Sequence, residues 1–298
     1  MYINILKIKI TLQKEIKFMS KCDSCSSKGK CGSNENTCSV LVPNYGRIKN
    51  IIGVMSGKGG VGKSTVTGIL AVKLRSLGYK VGVLDGDITG PSMPRFFAIN
   101  EKRADIVAGK SEEQAKFIPV ETVSGIKVIS LNLLTEEEEQ PVIWRGPVLT
   151  GVLTQMFSDT EWDELDYLLI DMPPGTGDLA LTVMQSIPLT GVVIAATPQD
   201  MVTMIVKKVV IMAQKMNIRV FGVVENMSYI SCGNCGEKLK VFSKKSAVEQ
   251  ADSLGIPLIA ELPINLDLIE NMENGNIENY INTVEEYNKL LANFMTLQ

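Results

Sequence analysis

The run Gly57 to Thr65, Gly-Lys-Gly-Gly-Val-Gly-Lys-Ser-Thr, constrains the fold of this chain more than any other stretch. It follows the apolar run Ile51-Ile52-Gly53-Val54-Met55 directly, so the order it predicts is strand, glycine loop, helix. Gly57, Gly62, Lys63 and Ser64 satisfy G-x-x-x-x-G-K-[ST], a spacing in which glycines let successive backbone N–H groups converge on an anion at a helix N-terminus. Lys63 would then reach terminal phosphates, and Ser64 would ligate Mg²⁺. Two other readings share these residues. Gly57, Gly59 and Gly62 also spell G-x-G-x-x-G, with Asp85 where a ribose-binding acid could sit, although a dinucleotide site does not require Lys-Ser after its last glycine. The second is a glycine-rich turn that holds no ligand.

A chain of 298 residues with 45% hydrophobic content can bury one large α/β core. The net charge is only −3, and basic residues come in pairs (Lys207-Lys208, Lys244-Lys245) rather than stripes, which argues against nucleic acid as a partner. No apolar run is long enough to span a membrane. Histidine is absent, so a transition-metal site would have to be built from the six cysteines, which favours zinc or iron–sulfur chemistry. A disulfide framework is the alternative, but a long chain without a secretory signal points to the cytoplasm, where paired thiols stay reduced.

Residues 1–45 form a tail and residues 46–298 the folded domain. The first 18 residues alternate Ile and Lys without resembling a targeting peptide, and a purine-rich codon run possible at Lys14-Glu15 suggests that translation starts at Met19. Ser20 to Ser39 contains no aliphatic or aromatic residue, so this segment cannot bury a core by itself.

Strands are expected at 48–55, 80–84, 117–120, 126–131, 166–170, 191–196, 219–225 and 257–261. Helices are expected at 64–77, 147–157, 179–186, 200–216, 246–254, 265–273 and from about Ile277 to Leu297. Such alternation predicts an α/β fold with a doubly wound, mostly parallel sheet. The last helix gathers Tyr280, Ile281, Val284, Tyr287, Leu290, Leu291, Phe294 and Met295 on one face with acids on the other, a pattern suited to packing on the sheet rather than to anionic lipid.

Three acids fall where a nucleotide hydrolase needs them. Asp171 ends a buried strand and would hold Mg²⁺ through water, though alone it could be a strand-end cap; Asp85 and Asp87 follow the second strand. Asp87, one residue past Gly86, is placed to orient an attacking water.

Lys58-Gly59-Gly60-Val61-Gly62-Lys63-Ser64-Thr65 resembles the deviant phosphate loop of the MinD/ParA-like ATPases, which include the nitrogenase iron protein. The resemblance narrows at residues 85–94, at Trp144-Arg145-Gly146-Pro147, at Asp171 to Asp178 and at Glu225-Asn226-Met227-Ser228-Tyr229, which together look like the Mrp/ApbC family of iron–sulfur cluster carriers. It implies an ATP-sandwich homodimer in which Lys58 reaches the partner's nucleotide, Asn226 binds adenine, and the loop from Asp171 to Asp178 senses the terminal phosphate. Its implied cofactors are ATP, Mg²⁺ and a [4Fe-4S] cluster, exchanged with scaffold proteins and apoprotein recipients. No role for Arg145 can be derived. A positioning ATPase acting on membrane or DNA is the rival reading, and a P-loop ATPase with structural zinc is a third.

Cys232-Gly233-Asn234-Cys235-Gly236 is C-x-x-C with a trailing glycine, which lets two thiolates converge on one metal; a redox dithiol is the competing reading. Family members carry cluster ligands at this position, often with proline where Gly233 stands. Cys22, Cys25 and Cys31 resemble the N-terminal cluster motif of the eukaryotic cytosolic branch, but the expected upstream cysteine is missing and Cys38 lies downstream instead. A second cluster, zinc or no metal all fit those four cysteines.

Overall fold

Apolar runs and helical segments alternate along the chain as β1 (Tyr45–Ser56), α1 (Lys63–Ser76), β2 (Val81–Asp85) and a short α2 (Met93–Phe96). A hairpin of β3 (Asp105–Ala108) and β4 (Ala115–Ile118) follows, then β5 (Val120–Glu121), β6 (Lys127–Ile129), α3 (Leu131–Leu134) and α4 (Gly146–Ser158). The second half runs through β7 (Glu161–Asp171), α5 (Asp178–Ser186), β8 (Gly191–Ala196), α6 (Pro198–Met201), α7 (Met204–Lys215) and β9 (Val220–Glu225). A small hairpin of β10 (Ile230–Ser231) and β11 (Lys238–Leu239) leads to α8 (Ala247–Leu254), β12 (Leu258–Glu261), α9 (Leu266–Glu273), α10 (Ile277–Thr283) and α11 (Glu285–Thr296). This computed structural model describes residues 40–109, 115–135, 146–201, 204–243 and 245–298.

Eight strands form one sheet in the order β12-β9-β8-β1-β7-β2-β6-β5, parallel throughout except for β5, which runs antiparallel to β6. Every residue of β2 and β8 is buried, and so is β1 from Ile51 onward. Helices on both faces require such continuously apolar strands. On one face α1 is buried along nearly its whole length, lying between the sheet and α10 and α11. The expectation that the C-terminal helix packs inward is met, since Tyr287, Leu290, Leu291 and Phe294 are buried and α11 lies against α1 and β12. Among the described residues, no helix is long and apolar enough to cross a membrane.

Four expected elements differ. The strand expected at 166–170 begins five residues earlier, at Glu161, and its first residues pair with β1 from Tyr45. The strand predicted at 117–120 is interrupted by Pro119, which has no N–H for the ladder; Ala115–Ile118 pairs with β3, whereas Val120 and Glu121 pair with β6. The strand predicted at 126–131 stops at Ile129, and Leu131 already begins α3. The single helix expected from Ile277 is two, because Val284 takes an extended conformation (φ −86°, ψ 122°). Asn282, Thr283 and Val284 are poor helix formers, and Glu285-Glu286 favours a fresh N-terminus whose dipole they complement.

Because the neighbouring strands are parallel, β1, β2, β7, β8 and β9 all deliver their carboxyl ends to one edge. Ser56, Asp85, Asp171, Ala196 and Glu225 therefore end their strands together, where open α/β sheets bind ligands.

Candidate nucleotide site and cysteine hairpin

The loop between β1 and α1 has the conformation its glycines were expected to permit. Gly60 and Gly62 both take φ +79°, and Gly62 is the N-cap of α1 with no side chain capping it. A Cβ at Gly62 would collide with Asn226 Nδ2, which donates to the Val61 carbonyl at 3.0 Å. Val61 is buried, whereas Lys58, Gly59 and Gly60 are exposed. An uncapped helix N-terminus behind a glycine loop is an anion cradle, as its first N–H groups have no intrahelical partner.

Four predicted side chains, Lys63, Ser64, Asp87 and Asp171, meet beneath this cradle. Lys63, only 5% exposed, places Nζ 2.8 Å from Asp171 Oδ1 and 3.5 Å from Asp87 Oδ2. Ser64 Oγ donates to Asp171 Oδ2 at 2.6 Å. Thr67 Oγ1 donates to Asp171 Oδ1 at 3.0 Å. Burial pushes the Asp171 carboxyl above its ordinary value, and the Lys63 charge and these hydrogen bonds work against that shift. The set fits a Mg-nucleotide. Lys63 would exchange Asp171 for phosphate oxygens, Ser64 would turn its hydroxyl to the metal, and Asp171 would hold the metal's water. The following loop is tied to the cradle, with Met172 N–H donating to Val54 O at 3.0 Å and Gly175 N–H to Ser56 O at 2.9 Å.

Asp85 plays a different part. It is buried beside Asp171 in register, and its Oδ2 accepts from Ser92 N–H, Met93 N–H and Ser130 Oγ at 3.0–3.1 Å. Burial, and then the Asp171 charge, push it up to about 7. An acid committed to closing the β2–α2 loop cannot reach a ribose, which removes the dinucleotide reading.

Cys232 and Cys235 sit on the turn of the β10–β11 hairpin, on the same sheet edge beyond β9, and both are free thiols. Gly236, at φ +73°, turns the chain so that its N–H donates to Cys232 O at 2.9 Å. Backbone N–H groups of Asn234 and Cys235, and then the Cys235 side chain, hold the Cys232 thiol below its ordinary value, which suits a metal-binding thiolate. Cys235 is exposed, so the pair faces outward. Among the described residues no three His, Cys, Asp or Glu side chains gather as one metal site. Cys22, Cys25, Cys31, Cys38 and Arg145 lie outside the described residues.

A ParA family model described as NUBPL iron-transfer P-loop NTPase matches residues 47–296. The chain belongs to this NTPase family. An iron–sulfur cluster carrier protein from Clostridium perfringens is 67% identical over 271 residues, covering 88% of this chain and 95% of the relative. One from Methanocaldococcus jannaschii is 41% identical, covering 86% and 88%. A nucleotide-binding protein from Archaeoglobus fulgidus, solved in complex with ADP, shares 40% identity at a TM-score of 0.68, covering 80% of this chain and 90% of that one. The cell division ATPase MinD of Pyrococcus furiosus, at 22% identity and a TM-score of 0.59, shares the fold.

In this NTPase the sequence reading missed Thr67, Ser130 and the Glu225–Ser228–Glu261 cluster. Thr67 was legible, since i and i+4 share a helix face and it follows Lys63 by four. Ser130 and Glu261 carry no local signal, because only the strand order brings them to Asp85 and Ser228.

Proposed function

We propose that this NTPase is a cytoplasmic ATP-hydrolysing carrier that receives a [4Fe-4S] cluster, holds it between the C-x-x-C pairs of two subunits, and passes it to apoproteins. The observation that carries this reading is the placement of a phosphate cradle and an outward-facing, thiolate-favouring pair on one sheet edge. The 67% identical relative named as a cluster carrier supports the cargo, and the ADP-bound relative supports the nucleotide. Bound Mg²⁺ would supply charge neutralisation of the phosphates. Lys63 would hold the terminal phosphate, Asp87 would orient the water, and exposed Lys58 would reach across the dimer. The apolar face of α11 is buried against α1 and β12, so that face is not open to a lipid surface of the kind a membrane-positioning ATPase would use.

The test is turnover and anaerobic reconstitution of one preparation. Lys63→Ala should lower ATP hydrolysis by at least about 100-fold, the scale of losing one electrostatic stabiliser, and Lys58→Ala should lower hydrolysis while sparing ATP binding. Wild-type protein given iron and sulfide should gain broad charge-transfer absorption that Cys232→Ser lacks. Unchanged turnover in both lysine variants would end the ATPase reading, and a colourless zinc-loaded protein would end the carrier reading.

A further inference from the structure

Four consecutive residues after β9 connect the cradle to the cysteine hairpin. Asn226 donates to the loop at Val61 O. Met227 takes a left-handed φ of +56°, unusual for a side chain of its size, and so turns its two neighbours toward different partners. Ser228 Oγ lies 2.6 Å from Glu225 Oε1 and 2.6 Å from Glu261 Oε1. Tyr229 lies under the Lys238 ammonium, 4.0 Å from its ring centroid. Lys238 and Lys240, which belong to the hairpin arm and the residues just beyond it, reach Glu261 at 3.8 and 3.1 Å.

One hydroxyl carries one proton, so two 2.6 Å contacts to carboxylates require a second proton on one of the glutamates. Burial raises Glu225, so that proton is favoured there over Glu261. Burial also acts to raise Glu261, but hydrogen bonds from Ser228 and Lys240 outweigh it and hold Glu261 low and charged. Ser228 Oγ thus bridges the two carboxyls, and Glu261 faces two hairpin lysines. Gln250 Nε2 anchors the other Glu225 oxygen at 3.2 Å. None of these groups touches the cradle's Lys63, Asp87 or Asp171, so the nucleotide chemistry leaves the cluster unused.

We propose that Glu261 is a positioning residue: through Ser228 and Asn226 on one side and Lys240 and Lys238 on the other, it makes the exposure of Cys232 and Cys235 depend on the state of the phosphate loop. This rests on the nucleotide reading above, because the switched element is the loop itself, whose Lys63 pairs with Asp171 and would exchange it for phosphate. A loop that closes on phosphates moves Val61, and Asn226 moves with it. The segment 226–229 is short and cross-linked at Asn226, Ser228 and Tyr229, so the displacement reaches the hairpin lysines.

The experiment measures iodoacetamide labelling of Cys232 and Cys235 by peptide mass spectrometry, in full-length cluster-free protein with and without a Mg²⁺-bound non-hydrolysable ATP analogue. Wild type should show a several-fold nucleotide-dependent change in labelling rate. In Glu261→Gln, which keeps the shape and the Ser228 contact but loses the charge facing the lysines, the change should fall below twofold. Basal ATP turnover and analogue affinity should stay at wild-type levels, which a merely misfolded variant would not show. The charge-exchanged Glu261→Lys, Lys240→Glu double variant should recover part of the change. Persistence of the full change in Glu261→Gln, or its absence in a wild type that binds the analogue, overturns the link. A wild type that binds no analogue overturns the nucleotide reading and the link together.

Discussion

Three carboxylates and one ammonium crowd the end of the central strands, and the way their charges are settled decides what the site can do. Lys63 offsets Asp171 at 2.8 Å and leans toward Asp87 at 3.5 Å, which leaves Asp85 without a cation of its own. Asp85 responds by holding its proton, up to about 7 against an ordinary 3.8. The sign follows from linkage: between those two values the folded chain keeps a proton that the unfolded chain has released. This contribution to stability is therefore complete below the unfolded value and is lost as pH rises through about 7. Nucleotide-free Asp85→Asn should accordingly show a flatter melting temperature between pH 5 and pH 8 than wild type, read by calorimetry at matched ionic strength. Equal slopes would mean that Asp85 is ionised throughout. Asp87 differs because it is only partly buried and has Lys63 in reach, so Asp87→Asn should keep Mg-ATP affinity while turnover drops by about 100-fold, the usual scale of general-base loss.

Elements, rather than single side chains, determine how sharply the cradle is defined. The start of β1 at Tyr45 was not legible in sequence, but the strand, loop and helix from Ile48 to Ser76 were, because glycine spacing and apolar periodicity both report local backbone geometry. The same is true of β2, β7 and β9, whose apolar runs end at the acids and Asn226 of the site, and of β8, which ends at Ala196. What sequence could not show depends on distant partners. Pro119 splits a predicted strand between two different ladders, the Asn282-Thr283-Val284 break depends on propensities too weak to register in a strongly amphipathic run, and the role of Asp85 depends on Ser130 arriving from β6. Gly62 tests the local part. Alanine there would have to hold φ +79° and push aside the Asn226 amide, at a cost of about 1–2 kcal/mol for the left-handed backbone alone. Gly62→Ala should lower the denaturation midpoint and weaken ATP binding by more than tenfold in calorimetric titration. Alanine at exposed Gly59, where a Cβ meets nothing within 4 Å, should do neither.

At the scale of the whole molecule, ligand counting limits what one chain can carry. Cys232 and Cys235 supply two thiolates, a cubane or tetrathiolate site takes about four, and the chain has no histidine to complete it. Among the described residues nothing else gathers at the hairpin to make up the number. An isologous two-fold interface whose axis passes beside the hairpin would supply the rest without further residues, because it would set each C-x-x-C opposite its own copy. In that arrangement cluster binding and dimerisation would be one equilibrium, each stabilising the other by mass action. Sedimentation of anaerobically reconstituted protein should show a dimer carrying about one cluster per pair of chains, and Cys232→Ser or Cys235→Ser should lose the cluster and shift the protein toward monomer while ATP binding persists. Replacing Cys22, Cys25, Cys31 and Cys38 together by serine should leave that shared cluster in place, since the hairpins alone meet the count. A quadruple variant that binds no iron, or a wild-type monomer that binds a full cluster, would refute the bridging arrangement.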